Sequence, residues 1–254
     1  METIKFVHKV SKGSRFNQIY IPLEMERAFS VGDLVEVKLL EKKSLHNSKG
    51  IKLNEFKEGL VKSIFSFLLG FRNIKRAFVV GSFLTRNDYN DIDVVIVAEK
   101  DSDFENKLTE KFDMKFHVVC IPEERFLRLL AICPLTRSML YNYVSNKGEN
   151  LIKDREIDLN HLNFLLMMPQ DLLEIKISGR AYYDSVRRLI AIEKFLGGRE
   201  ENPDKINREA EKLLGGDLFS RLRNNDYIVG IELERVRNVI KNKLNAVRRG
   251  MKDG

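Results

Sequence analysis

The first forty residues alternate between apolar and polar positions in three short segments. Such alternation predicts strands with one buried face, here at residues 4–10, 17–22 and 34–40. Polar turns separate the segments, and Pro22 is suited to the first turn of a short helix over residues 22–29. A polar stretch that ends in glycine, residues 42–50, is typical of a linker. We therefore expect a small β-rich module, then a connection to the rest of the chain.

Beyond the linker the periodicity changes from helix to strand. A helix is predicted within residues 54–71 by apolar positions at helical spacing, namely Phe56, Leu60, Ile64, Phe67 and Leu68. Continuous apolar runs then predict two buried strands, one ending at Val80 and one containing Val94–Val97. A further strand is expected at residues 113–121.

From Pro122 onward the chain has helical periodicity almost throughout, which indicates a helical bundle. Gly197-Gly198 and Gly215-Gly216 are typical helix ends, and Asn202-Pro203 is a typical helix start. A last helix is predicted from about Tyr227 to Val247. The expected fold class is α+β, with a β module at 1–43, an α/β core with a mixed sheet at 51–121 and a helical domain at 122–254.

Composition excludes several classes of protein. Two cysteines, Cys120 and Cys133, provide neither a disulfide framework nor a metal-ligand cluster, and no apolar stretch is long enough to span a bilayer. These features predict a cytoplasmic protein without a membrane partner. The net charge of +7 permits a polyanionic partner without requiring one. Abundant Lys and Glu with only two Gln are typical of a thermophile.

Candidate chemistry lies in the segment AFVVGSFLTRNDYNDIDVVIV, residues 77–97. At positions i and i+2 of a strand, Asp91 and Asp93 point to one face about 6 to 7 Å apart. Two like charges so placed repel each other unless a cation lies between them, and Mg²⁺ is typically held by one or two carboxylates plus substrate phosphates. Gly81 permits close approach of the backbone to a phosphate, and Ser82 with neighbouring N–H groups can donate to it.

The first module carries a family resemblance. Residues 10–40, VSKGSRFNQIYIPLEMERAFSVGDLVEVKLL, resemble the swapped-hairpin module of AbrB-type transcription factors, with a basic turn, Ile-Pro before a short helix, and Gly-Asp-x-Val-x-Val. The resemblance implies a homodimer in which two copies interlace. It also implies DNA contact by Lys9, Lys12 and Arg15, although such a module can serve dimerisation alone.

The segment VVGSFLTRNDYNDIDVVIV resembles the nucleotidyltransferase superfamily, which includes DNA polymerase beta-like, CCA-adding and minimal nucleotidyltransferases. Its signature is a strand, Gly-Ser, a short helix and loop, and Asp-hydrophobic-Asp opening the next strand. The resemblance implies that Gly81 and Ser82 bind the triphosphate and that Asp91 and Asp93 bind Mg²⁺ or Mn²⁺. The implied activity transfers a nucleoside monophosphate from an NTP to an acceptor that is a nucleic acid or a protein.

The chain departs from that family in two places. Eight residues separate Ser82 from Asp91, a shorter interval than the family commonly shows, and His117 stands where a third carboxylate is expected. Asp113 shares strand parity with His117 and is the candidate third catalytic acid. His117 is a metal ligand or a hydrogen-bonded core histidine. Two other functions therefore stay open: a degenerate nucleotide-binding, DNA-binding regulator, and a toxin–antitoxin-type enzyme that modifies tRNA or a partner protein.

The helical half offers further candidates. Possible nucleotide or acceptor contacts are Arg180, Tyr182, Tyr183, Arg187 and Arg188, although paired arginines more often form a solvated face. From Arg235 to Lys252 the last predicted helix has seven basic residues and no acidic one. Such a helix presents a cationic ridge that meets DNA, RNA or solvent.

Overall fold

The structure is a computed structural model that describes residues 10–25, 28–30, 32–35, 37, 45–48, 50–100, 103–148, 151 and 153–253. The chain divides into two units, Met1–Lys42 and Lys43–Gly254. The division falls within one residue of the predicted end of the β module.

In the first unit, strand β1 (Ser11–Lys12) pairs antiparallel with strand β2 (Asn17–Gln18), and a 3-10 turn follows at Leu23–Met25. The turn lies within the predicted helix but is shorter. The predicted strand at 4–10 lies outside the described residues except for its last residue, and the strand predicted at 34–40 is described only in part. Large apolar side chains of this unit are exposed, namely Val10, Phe16, Tyr20, Leu34, Val35 and Val37.

The second unit is built on a mixed five-stranded sheet. Its strands are β3 (His46–Asn47), β4 (Ile74–Val80), β5 (Ile92–Ala98), β6 (Phe116–Ile121) and β7 (Tyr143–Ser145), in the order β3-β7-β4-β5-β6. Only the β5–β6 pair is parallel; the other three pairs are antiparallel. The strand β5 is paired on both sides, so residues at its start have neighbours on β4 and β6.

The described residues of the second unit also form helices, which are connected by loops. They are α1 (Glu55–Leu68), α2 (Ser82–Thr85), α3 (Phe104–Phe112), α4 (Glu123–Ile132), α5 (Pro134–Met139), α6 (Leu159–Asp171), α7 (Gly179–Leu196), α8 (Pro203–Leu214), α9 (Gly216–Arg223) and α10 (Gly230–Asp253). The prediction of an α+β chain with a mixed sheet is thereby confirmed at that level. Within the described residues, no helix has the length and apolar character needed to cross a membrane.

Both faces of the sheet are buried, by different sets of helices. Side chains of Val79, Val94 and Ile96 pack with α1, α2 and α3. The alternate residues Phe78, Val95 and Val97 pack with α4 and Leu140. Because successive strand residues point to opposite faces, the parity of a residue on β4 or β5 decides which layer its side chain enters.

A separate and larger core holds the helical bundle. It is formed by buried residues of α6 to α10 together with Ile132 and Cys133 at the end of α4. Helix α7 lies at its centre and packs against α5, α6, α8, α9 and α10. The predicted bundle is present, but it shares one unit with the sheet instead of forming a separate domain from residue 122.

Five local predictions need correction. Phe56 is exposed, and the buried face of α1 contains Lys57, Val61, Ile64, Phe65 and Leu68. The predicted linker contributes β3, and the region predicted to be helical contributes β7, because these short segments pair with each other at the antiparallel edge of the sheet. The third predicted strand begins at Phe116 instead of Asp113, since α3 continues to Phe112. The last helix, α10, starts and ends later than predicted.

Candidate functional site

Two carboxylates stand where the central strand β5 begins. Asp91 is the residue before the strand, Asp93 is its second residue, and both are partly exposed. Strand parity directs both side chains to the sheet face of Val95 and Val97. Both also line a cavity of about 1030 Å³ in the second unit.

Gly81 meets Asp93 at the end of the neighbouring strand β4. The residue before Gly81, Val80, is paired with Asp93 in the antiparallel ladder. Gly81 has φ of 79°, and a Cβ added there would lie 2.1 Å from Oδ2 of Asp93. Only glycine therefore fits at this position, both for backbone conformation and for space. Ser82 follows directly as the first residue of α2 and lines the same cavity.

His117 occupies the third position beside the carboxylates. Parallel pairing of β5 with β6 places His117 opposite Asp93, and its Nδ1 lies 3.2 Å from Oδ1 of Asp93. The His117 side chain is 62% exposed, so it is not a core histidine. It lines the cavity together with the two aspartates.

Asp113 lies away from this group. It caps the C-terminal end of α3 in a left-handed conformation, is exposed, and is not among the residues that line the cavity. Strand parity would align Asp113 with His117 only if β6 extended back to it, and the strand starts three residues later. The structure therefore does not bring the predicted third acid to the two aspartates.

Burial perturbs the ionisation of Asp93. Loss of solvent around the carboxyl raises its pKa above the ordinary value for aspartate, and the neighbouring Asp91 raises it further. The hydrogen bond from His117 and the charges of His117 and Arg180 lower the pKa, but the raising effects prevail. Ionisation of Asp93 is thus less favourable than that of an aspartate in water, and a cation bound beside it would favour the ionised form.

The helical part of the cavity lining is rich in arginine. It is formed by residues of α7, by the start of α8 and by the end of α9, including Arg180, Arg187, Arg188 and Arg223. We call these four residues the arginine wall. The same cavity is therefore lined by carboxylates and by arginines, and such a combination suits a ligand that carries both a bound cation and excess negative charge.

Tyr183 organises two members of the arginine wall. The guanidinium groups of Arg180 and Arg187 lie 5.0 and 5.2 Å from the centre of its ring, within the range of cation–π attraction. Asp184 accepts a hydrogen bond from Nε of Arg180, and the Tyr183 hydroxyl is 3.3 Å from Oδ1 of Asn207. Nε of Arg187 is buried without a hydrogen-bond partner among the described residues.

Of the other helical candidates, Tyr182 is excluded from the cavity because its ring is fully buried and its hydroxyl donates to the carbonyl of Ile175. Arg188 lines the cavity, donates to the carbonyl of Leu165, and has its pKa lowered by burial. Arg223 was not anticipated from the sequence, since a single arginine at a helix end carries no spacing signal.

Lys57 supports the loop that leads to Asp91, and the sequence patterns gave no sign of it either. Its side chain is buried, and Nζ donates to the carbonyl of Arg86 at 2.5 Å. The same ammonium lies over the rings of Phe83 and Tyr89, 5.3 and 5.5 Å from their centres. Lys57 therefore ties α1 to the loop between α2 and β5, and thereby helps to position Asp91.

The basic residues expected to contact DNA belong to the first unit. Lys9 lies outside the described residues, Lys12 is the last residue of β1, and Arg15 is exposed in the turn between β1 and β2. Lys12 and Arg15 are therefore on one hairpin.

Asp91 and Asp93 suit Mg²⁺ or Mn²⁺ only if a bound ligand supplies further oxygen donors. Within the described ranges, no group of three or more His, Cys, Asp and Glu side chains could hold a metal ion. Asp91 and Asp93 supply two carboxylates, which are hard oxygen donors, and Mg²⁺ typically completes its shell with substrate phosphates and water. The residues present therefore fit a divalent ion that enters together with a phosphorylated ligand.

Comparison with known proteins gave no match to a family model, to a curated protein or to a solved structure.

We predict that replacing Asp93 by Asn stabilises the protein at neutral pH in the absence of divalent ions. A carboxyl with a raised pKa favours folding below its unfolded pKa and loses that contribution as the pH rises through the folded pKa. At pH 7 the ionised Asp93 therefore costs stability that Asn does not. The melting temperature should rise by roughly 2 °C, and the gain should shrink as the pH falls towards 4.

Asp154→Asn is the matched control, because Asp154 is exposed in a loop and loses the same charge. Mg²⁺ should raise the melting temperature of the wild-type protein more than that of Asp93→Asn. If Asp93→Asn melts at a lower temperature than the wild-type protein at pH 7 in a chelator, the ionised Asp93 does not cost stability, and the assignment is wrong.

Proposed function

We propose that the second unit is a metal-dependent nucleotidyltransferase, which moves a nucleoside monophosphate from an NTP to an acceptor. The observation that carries the proposal is one cavity lined by the Asp91–Asp93 pair, by Gly81-Ser82 and by the arginine wall. A metal-bound triphosphate has the matching chemistry, with divalent cation and phosphate oxygens in one ligand. We likewise propose the finer fold assignment, a nucleotidyltransferase core with a helical bundle over its cleft.

Each residue then has a distinct task. Asp91 and Asp93 hold the divalent ions, which when bound stabilise the attacking and leaving oxygens. The backbone at Gly81 and the hydroxyl of Ser82 contact the triphosphate. Arg180 and Arg187 of the arginine wall neutralise phosphate charge. Tyr183 and Asp184 keep their guanidinium groups in place.

The transfer itself exchanges a phosphoanhydride bond for a phosphoester bond. An acceptor oxygen forms a bond to the α-phosphorus, the bond from that phosphorus to the β-bridging oxygen breaks, and pyrophosphate leaves. The proton of the acceptor hydroxyl must be taken up, and we assign this role to His117. When Nδ1–H of His117 donates to Asp93, its Nε2 is left as an acceptor.

A second candidate is a nucleotide-binding regulator without catalysis. His117 favours it, because an imidazole instead of a carboxylate pairs with Asp93 and Mg²⁺ prefers oxygen ligands. Binding of NTP and metal would persist without transfer. If transfer occurs, an acceptor that is tRNA or a partner protein would make the chain a toxin–antitoxin-type enzyme. In each case we propose a cytoplasmic location, where NTP and Mg²⁺ are supplied.

For the first unit we propose an AbrB-like swapped-hairpin module that makes the protein a homodimer. Leu34 is fully exposed and Phe16 is 77% exposed, and Val35 and Val37 are exposed as well. A cluster of large apolar side chains left in water by a unit this small indicates a surface that a partner covers. A second copy of the module supplies a complementary surface and closes the strand edges. The hairpin residues Lys12 and Arg15, with Lys9, would then contact DNA.

We predict that the protein binds NTP only together with a divalent ion. In calorimetry, NTP with Mg²⁺ should bind the wild-type chain, and either a chelator or Asp91→Asn should abolish the metal-dependent part. Arg187→Gln should weaken binding by roughly 10-fold or more, because it removes charged hydrogen bonds to phosphate. Asp154→Asn serves as the control for charge. Equal affinity with and without metal in all variants would refute the carboxylate site.

We predict that labelled NTP, Mg²⁺ and cell extract or RNA give label transfer to an acceptor, and that Asp93→Asn abolishes it. If His117 takes up the acceptor proton, His117→Ala should lose roughly 10²- to 10⁴-fold in rate. Asp113→Asn should be silent. If the wild-type protein transfers no label but His117→Asp does, the regulator hypothesis replaces the nucleotidyltransferase hypothesis.

We predict that the chain sediments as a dimer through its first unit. Leu34→Glu with Val37→Glu should give a monomer, since buried carboxylates at a dimer interface are unfavourable. Phe164→Glu is the control, because Phe164 is a comparably exposed apolar residue of α6 in the second unit. A wild-type monomer, or a Leu34→Glu/Val37→Glu protein that remains a dimer, would show that the interface lies elsewhere or does not exist.

A further inference from the structure

Helix α10 packs on the bundle with only one of its faces. The apolar stripe Leu233, Val236, Ile240, Leu244 and Val247 is buried against the bundle core. The most extensive contacts of α10 are with α6, α7 and α8. The prediction of an amphipathic last helix is therefore confirmed, and the opposite face of α10 points away from the core.

Some charged residues of α10 form hydrogen bonds or ion pairs with other groups of the protein. Arg237 donates to the carbonyls of Leu172, Glu174 and Ile175 and so caps the C-terminal end of α6. Lys243 forms ion pairs with Glu193 and Glu209. The acidic residues of the first turns are also paired, Glu232 with Arg221 and Glu234 with Arg237. These pairs explain two of the seven cations and leave five.

The five remaining cations share one exposed face. At about 100° per residue, an arc of about 140° contains eight residues between positions 235 and 252, and all of them are Arg, Lys or Asn. We call them the α10 ridge: Arg235, Asn238, Lys241, Asn242, Asn245, Arg248, Arg249 and Lys252. All eight are exposed. Its five cations form no ion pair or hydrogen bond within the described part of the chain, and the ridge is about 25 Å long.

The composition of the ridge is unusual for a helix face that meets only solvent. Such faces normally alternate acidic and basic residues, which support each other at i,i+4. Here like charges follow one another, as Arg248 and Lys252 do. The helix dipole favours cations in the last turn, but its effect does not reach Arg235 or Lys241. Five ridge residues, Asn242, Asn245, Arg248, Arg249 and Lys252, line one surface depression, so cations and amides converge on a common space.

We propose that the α10 ridge binds the sugar–phosphate backbone of a nucleic acid. Arginine and lysine are the side chains that contact phosphate, and asparagine amides donate to and accept from sugars and base edges. An anionic membrane surface is the poorer fit, because a helix that binds lipid buries its apolar side in the bilayer. The apolar side of α10 is already buried in the bundle. The surface is independent of the proposed nucleotidyl transfer, and both could be tested in one protein.

The test measures binding of labelled RNA of about 20 nucleotides, single-stranded and duplex, and of DNA of the same sequence. Full-length protein is titrated in a chelator at several salt concentrations, so that metal-dependent NTP binding cannot contribute. For single strands, each phosphate contact contributes about 0.7 to the slope of log affinity against log salt. The triple variant Arg248→Gln/Arg249→Gln/Lys252→Gln should therefore lower the slope by about 2. The charge-retaining Arg248→Lys/Arg249→Lys protein should keep most of the wild-type slope.

The matched control is Lys100→Gln/Lys111→Gln/Lys115→Gln, which removes three exposed cations from α3 and its flanking loops. It should leave the salt slope unchanged. An equal loss in the control would show that net charge alone drives binding, and the proposal would fail. It would also fail if the wild-type protein binds anionic lipid vesicles through the ridge and no nucleic acid. Melting temperatures within error of wild type exclude unfolding as the cause of a loss.

Discussion

The electrostatic cost of placing two carboxylates at the start of a buried strand is the constraint on which the candidate site depends. Asp93 lies between Val80 and His117 in the sheet, and burial together with Asp91 raises its pKa. A fold gains nothing in stability from such an arrangement. The Asp93 carboxylate also imposes a steric requirement. Only glycine fits at position 81, because its lack of a Cβ leaves room for that carboxylate. The proposed cation site would explain why the fold accepts this cost.

The helical bundle supplies the complementary charge. Helix α7 has its buried side in the bundle core and carries Arg180, Arg187 and Arg188 along the cavity. Tyr183 lies between two of these guanidinium groups, and Asp184 limits the repulsion between them. Because Tyr183 and Asp184 already contact these guanidinium groups, an anion that bound there would require little reorganisation of the side chains. The sheet and the bundle line one cavity, so the proposed nucleotidyl transfer would depend on both.

Three surfaces of the chain have separate physical characters. The cleft combines carboxylates with arginines, the first unit exposes apolar side chains, and the α10 ridge exposes cations and amides. We propose a different kind of partner for each: a metal-bound phosphate, a second copy of the chain and a polyanion. If the proposed transfer takes place and its acceptor is a nucleic acid, the ridge would let the same chain hold that acceptor.

Local sequence patterns determined the strands β4 and β5, the helices of the bundle and the pair Asp91–Asp93, because these depend on periodicity and on short spacings. The same patterns determined the apolar stripe of α10. They could not place Asp113, since helix α3 continues to Phe112, Asp113 caps its end, and strand β6 begins only at Phe116. They also missed β3, β7, Lys57 and Arg223. Each of these owes its position to contacts between segments far apart in the chain, Lys57 with the carbonyl of Arg86 and β3 with β7. Tertiary packing alone decides such contacts, because a short segment has too few local interactions to specify its own partner.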